Sequence, residues 1–182
     1  MKNKTIQNLV LSGMFLAIGY VLPFLTGQIP EIGSMMLPMH IPVLLCGLIC
    51  GWKYGLAVGA ILPLTRSLIF SMPPLYPTAI AMSFELAAYG FFIGLIFSLA
   101  RKRTVATVYI SLISSMLLGR LIWGLAQVVL LGFGGKAFPF SMFLAGAVLN
   151  AIPGIILQLV LIPTLMVVLD RTIGGFLSRE KV

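Results

Sequence analysis

Apolar runs long enough to cross a membrane follow one another along this chain, joined mostly by short connections, and they decide most of what it can fold into. A helix crossing bilayer hydrocarbon needs roughly 20 mainly apolar residues. Turn signals separate six such runs: about Ile6 to Leu25, Met35 to Cys50, Tyr54 to Phe70, Thr78 to Ala100, Val105 to Leu131 and Pro139 to Leu169. The second is short and interrupted by Pro38 and Pro42, and the third contains Pro63. The sixth is longer than a bilayer requires and must tilt, protrude, or kink at Pro153 or Pro163. Charged residues are 9% of the chain, where a soluble domain carries about 25%. The expectation is an all-α integral membrane protein, residues 1–182 forming one six-helix domain.

The basic residues orient that bundle. With a cytoplasmic N-terminus, the inside segments hold Lys2, Lys4, Lys53, Arg101, Lys102, Arg103, Arg171, Arg179 and Lys181, while the outside loops hold only Lys136. Lys and Arg concentrate on the cytoplasmic side of membrane proteins, so both termini are expected inside. No small-residue cleavage site follows the basic lead, so the first run reads as a retained helix rather than a signal peptide. The net charge of +8 does not indicate nucleic acid, because the cations sit between apolar runs and not on a polar surface. The outer connections are the specialised ones: Thr26 to Ser34 with Glu31, the proline-rich Ser71 to Pro77, and Gly132 to Phe138. Loops of that kind commonly carry binding.

Within the apolar runs stand Arg66, Glu85 and Arg120, joined by Asn150. A charge in hydrocarbon is costly and usually faces the bundle interior or a watery cavity. Counted from the outer helix ends at 1.5 Å per residue, all four fall within roughly 6–17 Å of the outer boundary. One carboxylate can neutralise one arginine. The other guanidinium, a planar fork of five donors, suits a carboxylate or phosphate on a ligand. Glu85 paired to Arg66 or Arg120 as a purely structural salt bridge is the bland alternative. His40, Gln127, Tyr89 and Trp123 complete the candidate wall, with Gln158, Tyr76 and Phe84 as lesser members. Each has an ordinary reading too: interhelical hydrogen bonds for the amides, a structural histidine, packing or an interface belt for the aromatics.

Cys46 and Cys50 share a helix face and read as small buried hydrophobes; two thiols alone make a poor metal site, and none is expected. Ser12, Gly13, Ala17 and Gly19 give the first helix a small-residue face with small-xxx-small spacing at Gly13 and Ala17. Such a face lets another helix approach closely in lipid, either inside the bundle or on another subunit. No hydrolase, metalloprotease or nucleotide-binding motif is present, and one His with four acids leaves little for acid–base chemistry. The reading is not an enzyme and has no cofactor. Energy for any transport must come from elsewhere, and no internal repeat supports a complete secondary carrier.

These residues resemble the substrate-binding S components of energy-coupling-factor (ECF) vitamin transporters. Most specific are Leu37-Pro38-Met39-His40-Ile41-Pro42-Val43-Leu44-Leu45 running into Gly47 and Gly51, then Pro63, Met72-Pro73-Pro74 and Phe84-Glu85-Leu86-Ala87-Ala88-Tyr89-Gly90. The pattern looks like the branch of pantothenate and hydroxymethylpyrimidine carriers, and Met39-His40-Ile41-Pro42 stands where riboflavin carriers have an aspartate signature. The resemblance implies a bacterial plasma-membrane protein that captures a vitamin from outside, then docks on a transmembrane coupling subunit driven by two cytosolic ATPases. It implies that Gly13 and Ala17 face that subunit. Pantothenate is the leading substrate, with hydroxymethylpyrimidine, riboflavin and folate open; the rival is a self-sufficient proton-coupled carrier using Glu85.

Overall fold

The structure, a computed structural model, describes residues 2–25, 35–135 and 139–173. It is helical throughout, with no strand among the described residues. The order is α1 (Lys2–Leu25), α2 (His40–Cys50), α3 (Trp52–Phe70), a wide π-type turn (Leu75–Ala79) leading into α4 (Ile80–Leu99), α5 (Val105–Phe133), α6 (Phe140–Leu144), a second π turn (Ala145–Leu149) and α7 (Ile152–Ile173). Among the described residues, four helical stretches are long and apolar enough to cross a membrane: Lys4–Leu25, Leu75–Leu99, Val105–Phe133 and Ile152–Thr172. α3 has 19 residues, but Lys53, Thr65, Arg66 and Ser67 make it more polar than these four. The expectations placed on Glu31, Lys136, Arg179 and Lys181 lie outside the described residues.

The second expected span is realised as an 11-residue helix, about 17 Å long and well short of the roughly 30 Å hydrocarbon core. Its late start has a local cause. Pro38 disfavours helix at the residue before it; Leu37 adopts φ 50°, and the His40 amide closes the turn onto the Leu37 carbonyl at 3.1 Å. From His40 onward every residue of α2 except Ile49 is buried, as expected of a helix that is apolar all round. α2 is therefore the axis of the core, with Val43, Leu44 and Cys46 fully enclosed.

α3 and α4 pack against α2 and most extensively against each other. Their contact is backbone on backbone. A Cβ added at Gly59 would lie 2.2 Å from the Leu86 carbonyl oxygen, and one at Gly90 2.2 Å from that of Gly55. Gly55/Gly59 on α3 and Gly90/Gly94 on α4 thus form a glycine seam of the small-xxx-small kind. α5 lies along α4 and α7 touches α5 and α2 more lightly. α5 starts at a reciprocal cap in which Thr104 and Thr107 each accept from the other's backbone amide.

α1 closes the other flank of α2 and α3. Its small residues divide between two faces. Ser12 and Gly19 are buried, Gly19 against Leu62, whereas Gly13 and Ala17 are exposed and a Cβ at Gly13 would meet nothing within 4 Å.

The sixth expected span is broken. α6 runs only five residues, the Asn150 amide reaches back to Ala145 at 2.9 Å, and a new helix begins at Ile152. Pro153, in the first turn of α7, explains the position of the break. It lacks the N–H that a continuous helix would use, and its ring collides with the carbonyl four residues earlier. The kink is thus ahead of Pro153, and Pro163 is accommodated inside α7.

Candidate functional site

Glu85 sits in the second turn of α4 with 1% of its surface exposed. Its Oε1 lies 2.9 Å from Arg120 Nη1 on α5 and 3.4 Å from His40 Nε2 at the start of α2. Tyr89 stands one turn further along α4 and is buried there. Its ring meets that of His40 edge-on, centroids 5.2 Å apart. Three helices therefore each supply part of one polar knot. Their placement follows from local sequence. The Pro38 turn fixes where His40 enters α2, and residues 85 and 89, four apart, share a face of α4. Gly119, beside Arg120, leaves room for the Tyr89 ring, which a Cβ there would approach to 2.7 Å.

The knot is only partly satisfied from within. Arg120 has 12% of its side chain exposed, and while Nη1 faces Glu85, its Nε and Nη2 are buried without a hydrogen-bond partner. Those two nitrogens form one edge of the guanidinium, the geometry that grips both oxygens of a carboxylate. Both His40 ring nitrogens and Glu85 Oε1 also lack a well-directed hydrogen bond, as does Nε2 of Gln158 on α7. Buried donors without partners are costly, and native proteins leave few of them. Arg120 contributes two of them, Nε and Nη2.

Arg66 is elsewhere. It is buried between α1 and α3, where Nη1 donates to the Tyr20 carbonyl at 2.6 Å and the guanidinium lies 5.1 Å and 5.0 Å from the Phe24 and Phe70 ring centroids. Glu85 takes Arg120 and not Arg66 as its counter-ion. Glu85 and Arg120 thus balance, and the unpartnered guanidinium edge at this pair is the Nε/Nη2 edge of Arg120.

The other expected wall residues scatter. Asn150, placed deep in the sixth helix on sequence, is exposed in the break between α6 and α7, because Pro153 interrupts the helix just beyond it. Gln127 and Gln158 are buried. Trp123 lies against the broken segment, its ring 6.2 Å from that of Phe143 and close above Gly146. Phe84 and Tyr76 are about half exposed, and the Tyr76 hydroxyl is bonded to the Leu130 carbonyl. The glycine seam carries the same spacing as Gly13 and Ala17. The signal was there in Gly55-x-x-x-Gly59 and Gly90-x-x-x-Gly94.

Among the described residues no cluster of His, Cys, Asp or Glu could hold a metal ion. Comparison with curated proteins and with solved structures gives no match. A family model does match: that of the substrate-specific component of ECF transporters, over residues 7–166. The match runs from the first helix well into the last and takes in the whole polar knot, in a family of transport proteins and not of enzymes. A membrane-type helical bundle with a half-satisfied ionic knot at its centre thus belongs to the ECF transporter substrate-specific component family.

Proposed function

We propose that this protein captures a small carboxylate vitamin, pantothenate before hydroxymethylpyrimidine, riboflavin or folate, at the Glu85–Arg120–His40 knot. The observation that carries the reading is the buried, unpartnered Nε/Nη2 edge of Arg120, held in place by Glu85 at its opposite side. A carboxylate on that edge gains two charge-assisted hydrogen bonds in a desolvated site. Tyr89, whose ring lies against that of His40, supplies a further contact for the rest of the molecule.

The remaining parts of the reading concern topology and energy. Six crossings, formed by α1, α2, α3, α4, α5 and the α6–α7 pair, leave both ends in the bacterial cytoplasm, supported by the nine-to-one excess of inside cations. The single domain delivers its vitamin by docking on a transmembrane coupling subunit with two cytosolic ATPases. The open Gly13/Ala17 face of α1 is the docking surface. The test is calorimetry with pantothenate on the purified protein and on Arg120→Ala, together with native mass spectrometry of any co-purified vitamin. Tight binding lost in the variant supports the reading; unchanged binding moves the site elsewhere. Vesicles holding this chain alone should accumulate nothing, whereas a self-sufficient Glu85 proton carrier would accumulate vitamin.

A further inference from the structure

The charges at the knot do not balance once a carboxylate is added. Glu85 and Arg120 cancel, and a neutral His40 imidazole adds no charge. A bound monoanion leaves the cluster at minus one in an enclosure where Glu85, His40 and Tyr89 are at most 2% exposed. An uncompensated charge in such surroundings is strongly disfavoured. His40 is the group placed to correct it. Its Nε2 is 3.4 Å from Glu85 Oε1, and neither atom has a well-directed hydrogen bond, so a proton between them would complete a contact that is now unfinished.

Among the described residues, the neighbouring elements supply no competing base at the knot. α4 presents Glu85 and Tyr89, and α5 presents Arg120. On α2 the other titratable groups are Cys46 and Cys50, six and ten positions along the helix. α3 carries Lys53 and Tyr54 at its first turn and Arg66 on the Tyr20 carbonyl. α1 carries Lys2, Lys4 and Tyr20, whose hydroxyl donates to Thr65, and α7 has Asp170 and Arg171 in its last turn.

We propose that a small carboxylate enters this site together with one proton, which the His40–Glu85 pair takes up. The proton comes from an acid of the medium, whose bond to hydrogen breaks as the new bond to hydrogen forms on the pair, and no bond of the ligand is made or broken. His40 then acts as a charge-compensating partner of the ligand it need not touch. The inference rests on the carboxylate reading above and adds a stoichiometry to it.

Calorimetry of the full-length protein in lipid nanodiscs tests this, with pantothenate titrated at one pH in buffers of different ionisation enthalpy. The observed heat should depend on the buffer with a slope of about one proton per ligand, and affinity should fall about tenfold per pH unit on the alkaline side. The neutral alcohol analogue of pantothenate should bind, more weakly, with no buffer dependence. In His40→Gln the proton slope should vanish for pantothenate. The wild-type buffer series decides the matter even where that variant fails to fold. Tight binding with identical heats in every buffer overturns the proton and leaves the carboxylate site standing. Absence of any pantothenate binding removes the carboxylate reading itself, and the proton with it. A slope that persists in His40→Gln overturns the assignment to the His40–Glu85 pair.

Discussion

Helix α1 and the α3–α4 pair carry the same small-xxx-small spacing in opposite circumstances. On α3 and α4 the glycines are consumed by the fold: backbone meets backbone, and the Leu75–Leu99 stretch is 56% buried. On α1, Gly13 and Ala17 look outward, and the span is 17% buried. Motif spacing therefore says only that a close approach is possible. What decides its use is whether a partner helix of the same chain already occupies that face. α1 spent Ser12 and Gly19 on its own bundle and left Gly13 and Ala17 over, among exposed Ile6, Val10, Met14 and Val21.

The largest effect should come from the closed seam. Gly59→Leu forces a side chain into the Leu86 carbonyl, and neither backbone can yield without moving the whole helix pair. The variant should lose more than about 3 kcal/mol and most of its folded yield, read by thermal unfolding and size exclusion in detergent. Survival with a wild-type melting temperature would mean that the two helices are not locked as described.

Gly13→Leu is the matched substitution on the open face. Stability and pantothenate affinity should stay within about 0.5 kcal/mol of wild type, as for surface changes, while ATP-driven uptake in the reconstituted complex falls at least about tenfold. Binding that collapses along with uptake would place this face inside the bundle and erase the contrast.

The two arginines extend the comparison to the polar residues. Arg120→Ala, in the closed block, should weaken ligand binding by at least about 2 kcal/mol, because a charged hydrogen bond in a dry site is lost and Glu85 is stranded. Arg66→Ala, on the α1 flank, should instead lower stability by about 1–3 kcal/mol through the lost carbonyl bond and ring contacts, with affinity changed by less than about 0.5 kcal/mol. A reversal of these two results would exchange their assigned roles. The smallest effect belongs to Asn150→Ala: an exposed side chain at a helix break, expected to shift affinity and stability by less than about 0.5 kcal/mol in parallel titrations and melts.

Much of this was legible in the sequence for definite physical reasons. Lipid-length apolar runs announce their helices, since backbone polar groups in hydrocarbon must be satisfied within a segment. Glu85, Arg120 and His40 drew notice because each is too polar for its surroundings. Partner choice was less accessible. Depth along a helix places Arg66 and Arg120 both in the outer half, but the direction each side chain takes depends on which neighbour fills that face. Tyr20, Phe24 and Phe70 claimed Arg66. Asn150 was misplaced for a different reason: the effect of Pro153 falls on the residues before it, so a break read at the proline itself sits several positions too late.

Because the protein's own charges at the knot cancel, membrane voltage has little purchase on the site before capture. Moving one elementary charge through the full field takes about 2.3 kcal/mol per 100 mV. A bound monoanion would therefore have to travel against the negative interior of an energised cell. Accompanied by its proton, the same cargo would cross as a neutral load and give the potential no charge of its own to act on.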